Sequence, residues 1–176
     1  PVSDPATDAG AGVPTQVAGA VFALHLTAYG TDPTDGTCGI IESFEGGRSL
    51  LAWQGWDDPD SGTRRVVIDG VVVGAEPADG VRVPVTFTAG RASVLAAYED
   101  VGRITLAFRD DGGVDPVSGG TGPFVVRPAD LRIAAVTTPG GAANPGTREA
   151  GPGFLAAGAP FRAVVEAVSS TGTVTP

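Results

Sequence analysis

Over much of the chain apolar and polar positions alternate in short runs, and Gly or Asp interrupts the gaps between them. Phe22, Leu24 and Leu26 alternate with Ala23, His25 and Thr27, and Tyr29 continues the apolar set after Ala28. Side chains of a strand point to opposite faces in turn, so this pattern predicts a half-buried strand. The strictest alternation sets Val81, Val83, Val85 and Phe87 against Arg82, Pro84, Thr86 and Thr88. Pro84 has no backbone N–H to give a ladder, which places that strand at a sheet edge or at a bulge. After a turn at Gly90 a strand is expected over residues 93–97, although its alanines also allow a short helical turn. Ile104, Leu106 and Phe108 then stand against Thr105, Ala107 and Arg109. Shorter candidates lie around residues 38–41, 49–53 and 65–68.

About seven strand candidates thus fall between Phe22 and Phe108, with no amphipathic helix long enough to cover a parallel sheet. The expected class is all-β, an immunoglobulin-like antiparallel β-sandwich, with a β-barrel as its structural rival. Composition agrees: 27 Gly and 15 Pro in 176 residues exclude long helices, and they follow no collagen period.

Residues 1–14 carry no apolar period and read as a linker or frayed N-terminus. The sandwich is assigned to residues 15–126. Residues 127–176 read as the N-terminal part of a second, incomplete β domain, with a Gly/Pro-rich loop at 139–153. There Leu131, Ile133 and Ala135 begin another alternation, and Ala157-Gly158-Ala159-Pro160-Phe161 echoes Ala18-Gly19-Ala20-Val21-Phe22. Each of these five-residue stretches leads into a strand pattern, as repeated units do. With no Met and an opening Pro1-Val2, the chain reads as a piece of a longer polypeptide.

Charge narrows the partners. Eleven basic residues, all Arg, against 20 acidic ones give a net charge of -9. Such a surface repels nucleic acid, and no apolar run is long enough for membrane insertion. Neighbouring domains of the same chain are the expected partners.

Little points to catalysis. His25 is the sole histidine, on the polar side of its strand, and Cys38 is the sole cysteine, without a local base. Cys38 reads as a core residue or as half of a disulfide to a partner outside the sequence. The acidic turns at Asp32–Asp35, Asp57–Asp60 and Asp110–Asp115 could offer oxygen ligands to Ca²⁺, with Asp57, Asp58 and Asp60 the candidate metal ligands. Asp capping its own turn is the plainer account. Trp53 and Trp56 beside that turn could form a glycan platform. Otherwise Trp53 closes the core while Trp56 packs under the turn. Tyr98 reads as structural, its hydroxyl tying a sandwich corner to the backbone. No catalytic residue and no required cofactor is assigned. A non-catalytic structural or interaction module is the leading function, a Ca²⁺- or carbohydrate-binding sandwich the alternative, and a glycan-active enzyme fragment the third.

Residues 83–111 combine a strand, a G-x-A turn and the motif Y-x-x-x-G-x-I-x-L, on Tyr98, Gly102, Ile104 and Leu106, and residues 123–133 follow closely as PFVVRPADLRI. This combination resembles the β-rich region of bacterial surface proteins related to the MshQ-type component of mannose-sensitive haemagglutinin pilus biogenesis. It is also similar to bacterial immunoglobulin-like modules in general. The resemblance implies an exported protein, periplasmic, outer-membrane-associated or at the cell surface, with pilus or surface components among its partners. It carries no catalytic residue to this chain.

Overall fold

The structure is a computed structural model that describes residues 2–3, 12–31, 36–113, 116–146 and 151–175. Its strands, in chain order, are β1 (Val2–Ser3), β2 (Gln16–Val17), β3 (Val21–Thr27), β4 (Tyr29–Thr31), β5 (Cys38–Ile40), β6 (Gly46–Asp58), β7 (Val67–Ile68), β8 (Val71–Val72), β9 (Val81–Phe87), β10 (Arg91–Ala97), β11 (Gly102–Asp110), β12 (Val117–Gly120), β13 (Phe124–Arg127), β14 (Asp130–Thr137) and β15 (Arg162–Val168).

Two sheets face each other. One runs β1-β3-β10-β7-β8, and the other runs β2-β13-β11-β6-β9, with β12 also paired to β11. The sheets stay separate, which makes the architecture an Ig-like sandwich rather than the rival barrel. Strand β9 is an edge, as Pro84 requires, and residues 91–97 form a strand paired with β3 along its whole length rather than a helical turn. Backbone pairing of Val2 with Leu26 and of Ser3 with His25 turns part of the expected N-terminal linker into an edge strand.

Alternation becomes the core. Phe22, Leu24 and Leu26 of β3 with Ala92, Val94 and Ala96 of β10 face inward from one sheet. Leu50 and Ala52 of β6, Val83, Val85 and Phe87 of β9, and Ile104, Leu106 and Phe108 of β11 face them from the other, and all are buried. Phe22 and Phe124 meet edge to face across the sheets, ring centroids 6.0 Å apart. That geometry is favoured by the ring quadrupoles beyond simple burial.

Tyr29 departs from the pattern. It does not continue the apolar set of β3, because the chain breaks at Ala28, whose N–H donates to the Gly90 carbonyl, and re-forms as the β4–β5 hairpin with Tyr29 39% exposed. Cys38 lies in that hairpin opposite Thr31 and is exposed, so it is not a core residue.

The β9–β10 hairpin turns through Ala89 and Gly90, both at positive φ (46° and 74°), closed by Thr88 N–H to Arg91 O and Arg91 N–H to Thr88 O. A left-handed alanine costs about 1–2 kcal/mol that glycine avoids, less about 0.5–1 kcal/mol of extra chain entropy for glycine. Ala89→Gly is therefore expected to raise stability by about 0.5–1 kcal/mol in urea denaturation, and a loss of stability would contradict the turn.

Beyond the sandwich, β14 and β15 form a separate two-stranded sheet. Their register sets Leu131 opposite Ala167 and Ile133 opposite Val165 on one face, while the Arg132–Glu166 ion pair (2.8 Å) holds the other. The apolar face is bare: Leu131 is 64%, Ile133 67% and Val165 57% exposed. The hairpin is nevertheless tied to the sandwich. Ser170 N–H donates to Ala18 O (2.7 Å), and the Thr171 hydroxyl donates to Glu99 Oε2 (3.0 Å). Gly19, at φ 77°, admits this approach, since a Cβ there would stand 2.9 Å from Ser170 Oγ.

Candidate functional site

Of the residues singled out in the sequence, Trp56, Asp57, Asp58, Asp60, Tyr98 and Gly102 gather at one end of the sandwich, where β6 runs out into residues 59–65 beside the β10–β11 connection. Strand β6 carries Leu50, Ala52, Gln54 and Trp56 toward the facing sheet and Leu51 and Trp53 away from it, as period two dictates. The register with β11 then shifts: Ile104 pairs with Trp56 and Arg103 with Asp58, leaving Asp57 as the extra residue of a bulge. Bulges re-aim side chains, and here Asp57 turns to form an ion pair with Arg103 Nε. Gly102 permits the bulge. It sits at φ 132°, and a Cβ there would lie 2.9 Å from Asp58 O and 3.2 Å from Pro59 Cδ.

The two tryptophans part company. Trp56 packs against the core, whereas Trp53 lies on the outer face of the sheet beside Thr105, Ala107 and Gly120. Trp53 therefore does not close the core, whereas Trp56 packs under the turn at Gly62 and also against the core. Trp56 Nε1–H donates to the Tyr98 hydroxyl at 3.3 Å, so Tyr98 ties the corner to a side chain rather than to the backbone. Burial pushes the Tyr98 phenol up, and the hydrogen bond from Trp56 offsets part of that rise. Gly62 covers the Trp56 indole so closely that a Cβ would collide with Nε1.

A polar residue without a sequence signal supports this end. Gln54 is fully buried, its Oε1 accepting from Val66 N–H (2.5 Å) and its Nε2–H donating to Arg64 O (3.2 Å). It holds the 64–66 segment against β6. Asp100, inside the Y-x-x-x-G motif, is buried as well, and no feature of the sequence marks it out.

The acidic residues do not converge. Asp57 is taken by Arg103, and Asp58 and Asp60 are exposed, with Asp58 joined to Pro59 by a cis peptide bond. Among the described residues no three His, Cys, Asp or Glu side chains form a metal-ligating group. At the far end Asp110 accepts from Gly112 N–H (3.0 Å), the turn-capping use of an Asp, and Asp111 pairs with Arg82 (2.9 Å). That hydrogen bond holds the Asp111 carboxyl below its ordinary value. The acidic turn at residues 32–35, and Asp115, lie outside the described residues. His25 sits on the outer face of β3, opposite Ser93.

Around Trp56 and Tyr98 lies a cleft of about 500 Å³, lined by Trp56, Pro59, Thr63, Tyr98, Asp100 and Val101 among others. It has an aromatic wall and a buried carboxylate but no base and nucleophile in hydrogen-bond contact, which acyl or glycosyl transfer by side chains would require. Among the described residues no helix is long and apolar enough to cross a membrane.

No curated protein and no solved structure matches the chain. Residues 7–121 match the family described as "Domain of unknown function (DUF6701), first Ig-like domain", which spans the sandwich through β12 and includes the Tyr98–Gly102 corner. The chain belongs to this family, whose Ig-like domain is found in MshQ-like surface and pilus-biogenesis proteins.

Proposed function

We propose that the sandwich is a non-catalytic spacer unit of an exported protein, periplasmic, outer-membrane-associated or at the cell surface, and that residues 127–176 open a second β unit fixed directly onto it. The carrying observation is the one-sided hairpin. A two-stranded ribbon is marginal in water by itself, and an apolar face of Leu131, Ile133 and Val165 needs a facing layer. The echoed stretches supply the comparison. Phe22 ends the first and is covered by Phe124 of the opposite sheet, whereas Phe161 ends the second and is 61% exposed. The family description, a first Ig-like domain, supports further units in the same polypeptide.

A spacer that transmits orientation needs a stiff joint. Only Pro128 and Ala129 separate β13 from β14, and the Ser170 and Thr171 contacts to Ala18 and Glu99 close the same joint from the other side.

The test is thiol labelling of Ile133→Cys and Val165→Cys, in a Cys38→Ser background, in the 176-residue chain and in a polypeptide carried through the next Ig-like unit. Labelling at both sites should slow at least tenfold in the longer protein. Equal rates in the two would overturn the second-unit reading.

A further inference from the structure

The cleft beside Trp56 holds a carboxylate whose coordination is incomplete. Asp100 is only 5% exposed, and its Oδ1 accepts from the N–H of Val101 at 2.8 Å. No donor among the described residues meets Oδ2, and none of the ion pairs there involves Asp100. Oδ2 is not sealed in the protein either: the one fully enclosed side-chain polar atom without a partner, among the described residues, is Arg48 Nε, far along the sheet. Asp100 lines the cleft, and the cleft is where Oδ2 can find a donor.

A buried carboxylate is costly to maintain without a counter-charge or a full set of hydrogen bonds. Among the described residues no ion pair involves Asp100: Arg103 pairs with Asp57, and Arg64 donates to the Val174 carbonyl at 3.5 Å. Asp58 and Asp60 stand exposed on the adjoining turn, so the field at the mouth is negative. The wall is the Trp56 indole beside Pro59, and aromatic faces attract cations through the ring quadrupole. A carboxylate at the back, an aromatic wall and an acidic rim form a receptor for an organic cation. A sugar uses such a wall as well, but the indole N–H that would mark a sugar's hydroxyl is already given to Tyr98.

We propose that the Trp56–Asp100 cleft binds an alkylammonium or guanidinium group, the chemistry of a free organic amine or of a Lys or Arg side chain presented by a protein. The site is independent of the second-unit reading, because every residue in it belongs to the first sandwich.

The test is a titration of the ¹⁵N-labelled chain, following the Trp56 indole N–H, with butylammonium, butylguanidinium, the neutral isostere butanol and glucose. The two cations should give saturable shifts with Kd at least tenfold below that of butanol, glucose should give none, and Asp100→Asn should weaken cation binding at least tenfold. Should Asp100→Asn fail to fold, salt decides: raising it from 50 to 500 mM should weaken the cations several-fold and leave butanol unchanged. N-acetyl-lysine-methylamide separates the sources. Binding as tight as butylammonium assigns the cleft to a protein side chain, and binding tenfold weaker assigns it to a free amine. Absence of a saturable cation shift, equal shifts with butanol, or cation affinity indifferent to both Asp100 and salt would overturn the proposal.

Discussion

Gly102→Ala is expected to destabilise the chain by about 3 kcal/mol. Gly102 sits at φ 132°, a region essentially closed to other residues at a cost of about 1–3 kcal/mol. The new Cβ would also stand 2.9 Å from Asp58 O and 3.2 Å from Pro59 Cδ, so the bulge must shift as well. For a chain of this length the loss corresponds to a fall in melting temperature of about 6–12 °C. Because Trp56 pairs with Ile104 immediately before the bulge, its fluorescence should move toward that of a wetter indole. Gly39→Ala is the control: nothing lies within 4 Å of a Cβ there and its φ is ordinary, so the change should stay within about 0.5 kcal/mol. Equal effects at the two glycines would show that the corner geometry is not as described.

Gln54→Leu should cost about 2–3 kcal/mol despite matching the core in polarity and nearly in volume. The substitution removes the acceptor of the Val66 N–H and the donor to the Arg64 carbonyl, and it leaves a buried backbone N–H unsatisfied, worth about 1–3 kcal/mol. Released from β6, residues 64–66 should lose order first, so amide exchange at Val66 should accelerate more than at Leu24. Denaturation in urea gives the stability change. A variant as stable as the parent would mean that the glutamine is dispensable in the core.

Much of the fold could be read because period-two alternation is a local signal. Phe22 to Leu26, Val83 to Phe87 and Ile104 to Phe108 face inward as the pattern says, and Pro84 marks an edge because a missing N–H cannot serve a central strand. The end of the sandwich was harder to read. Trp53 and Trp56 are three residues apart, so a regular strand puts them on opposite faces, and the bulge that could have altered this begins only past Trp56. Gln54 carries no signal of burial in the sequence, since the Arg64 and Val66 backbone groups that satisfy it come from a separate loop. Asp100 lines a cleft with Trp56 and Pro59, residues about forty positions earlier in the chain, a juxtaposition that no local pattern announces. Cys38 and Tyr29 were misplaced because Ala28 leaves the sheet to pair with the Gly90 turn, a contact between distant parts of the sequence.

The most direct test of the central claim, one finished sandwich bearing an unpartnered hairpin, is native-state hydrogen exchange across the 176-residue chain. Amides of β3, β6, β10 and β11 should exchange at a common slow rate set by global unfolding, and those of β14 and β15 at least about a hundredfold faster, since little apolar burial holds that ribbon. Protection of Ile133 and Val165 equal to that of Leu24 and Leu106 would contradict it.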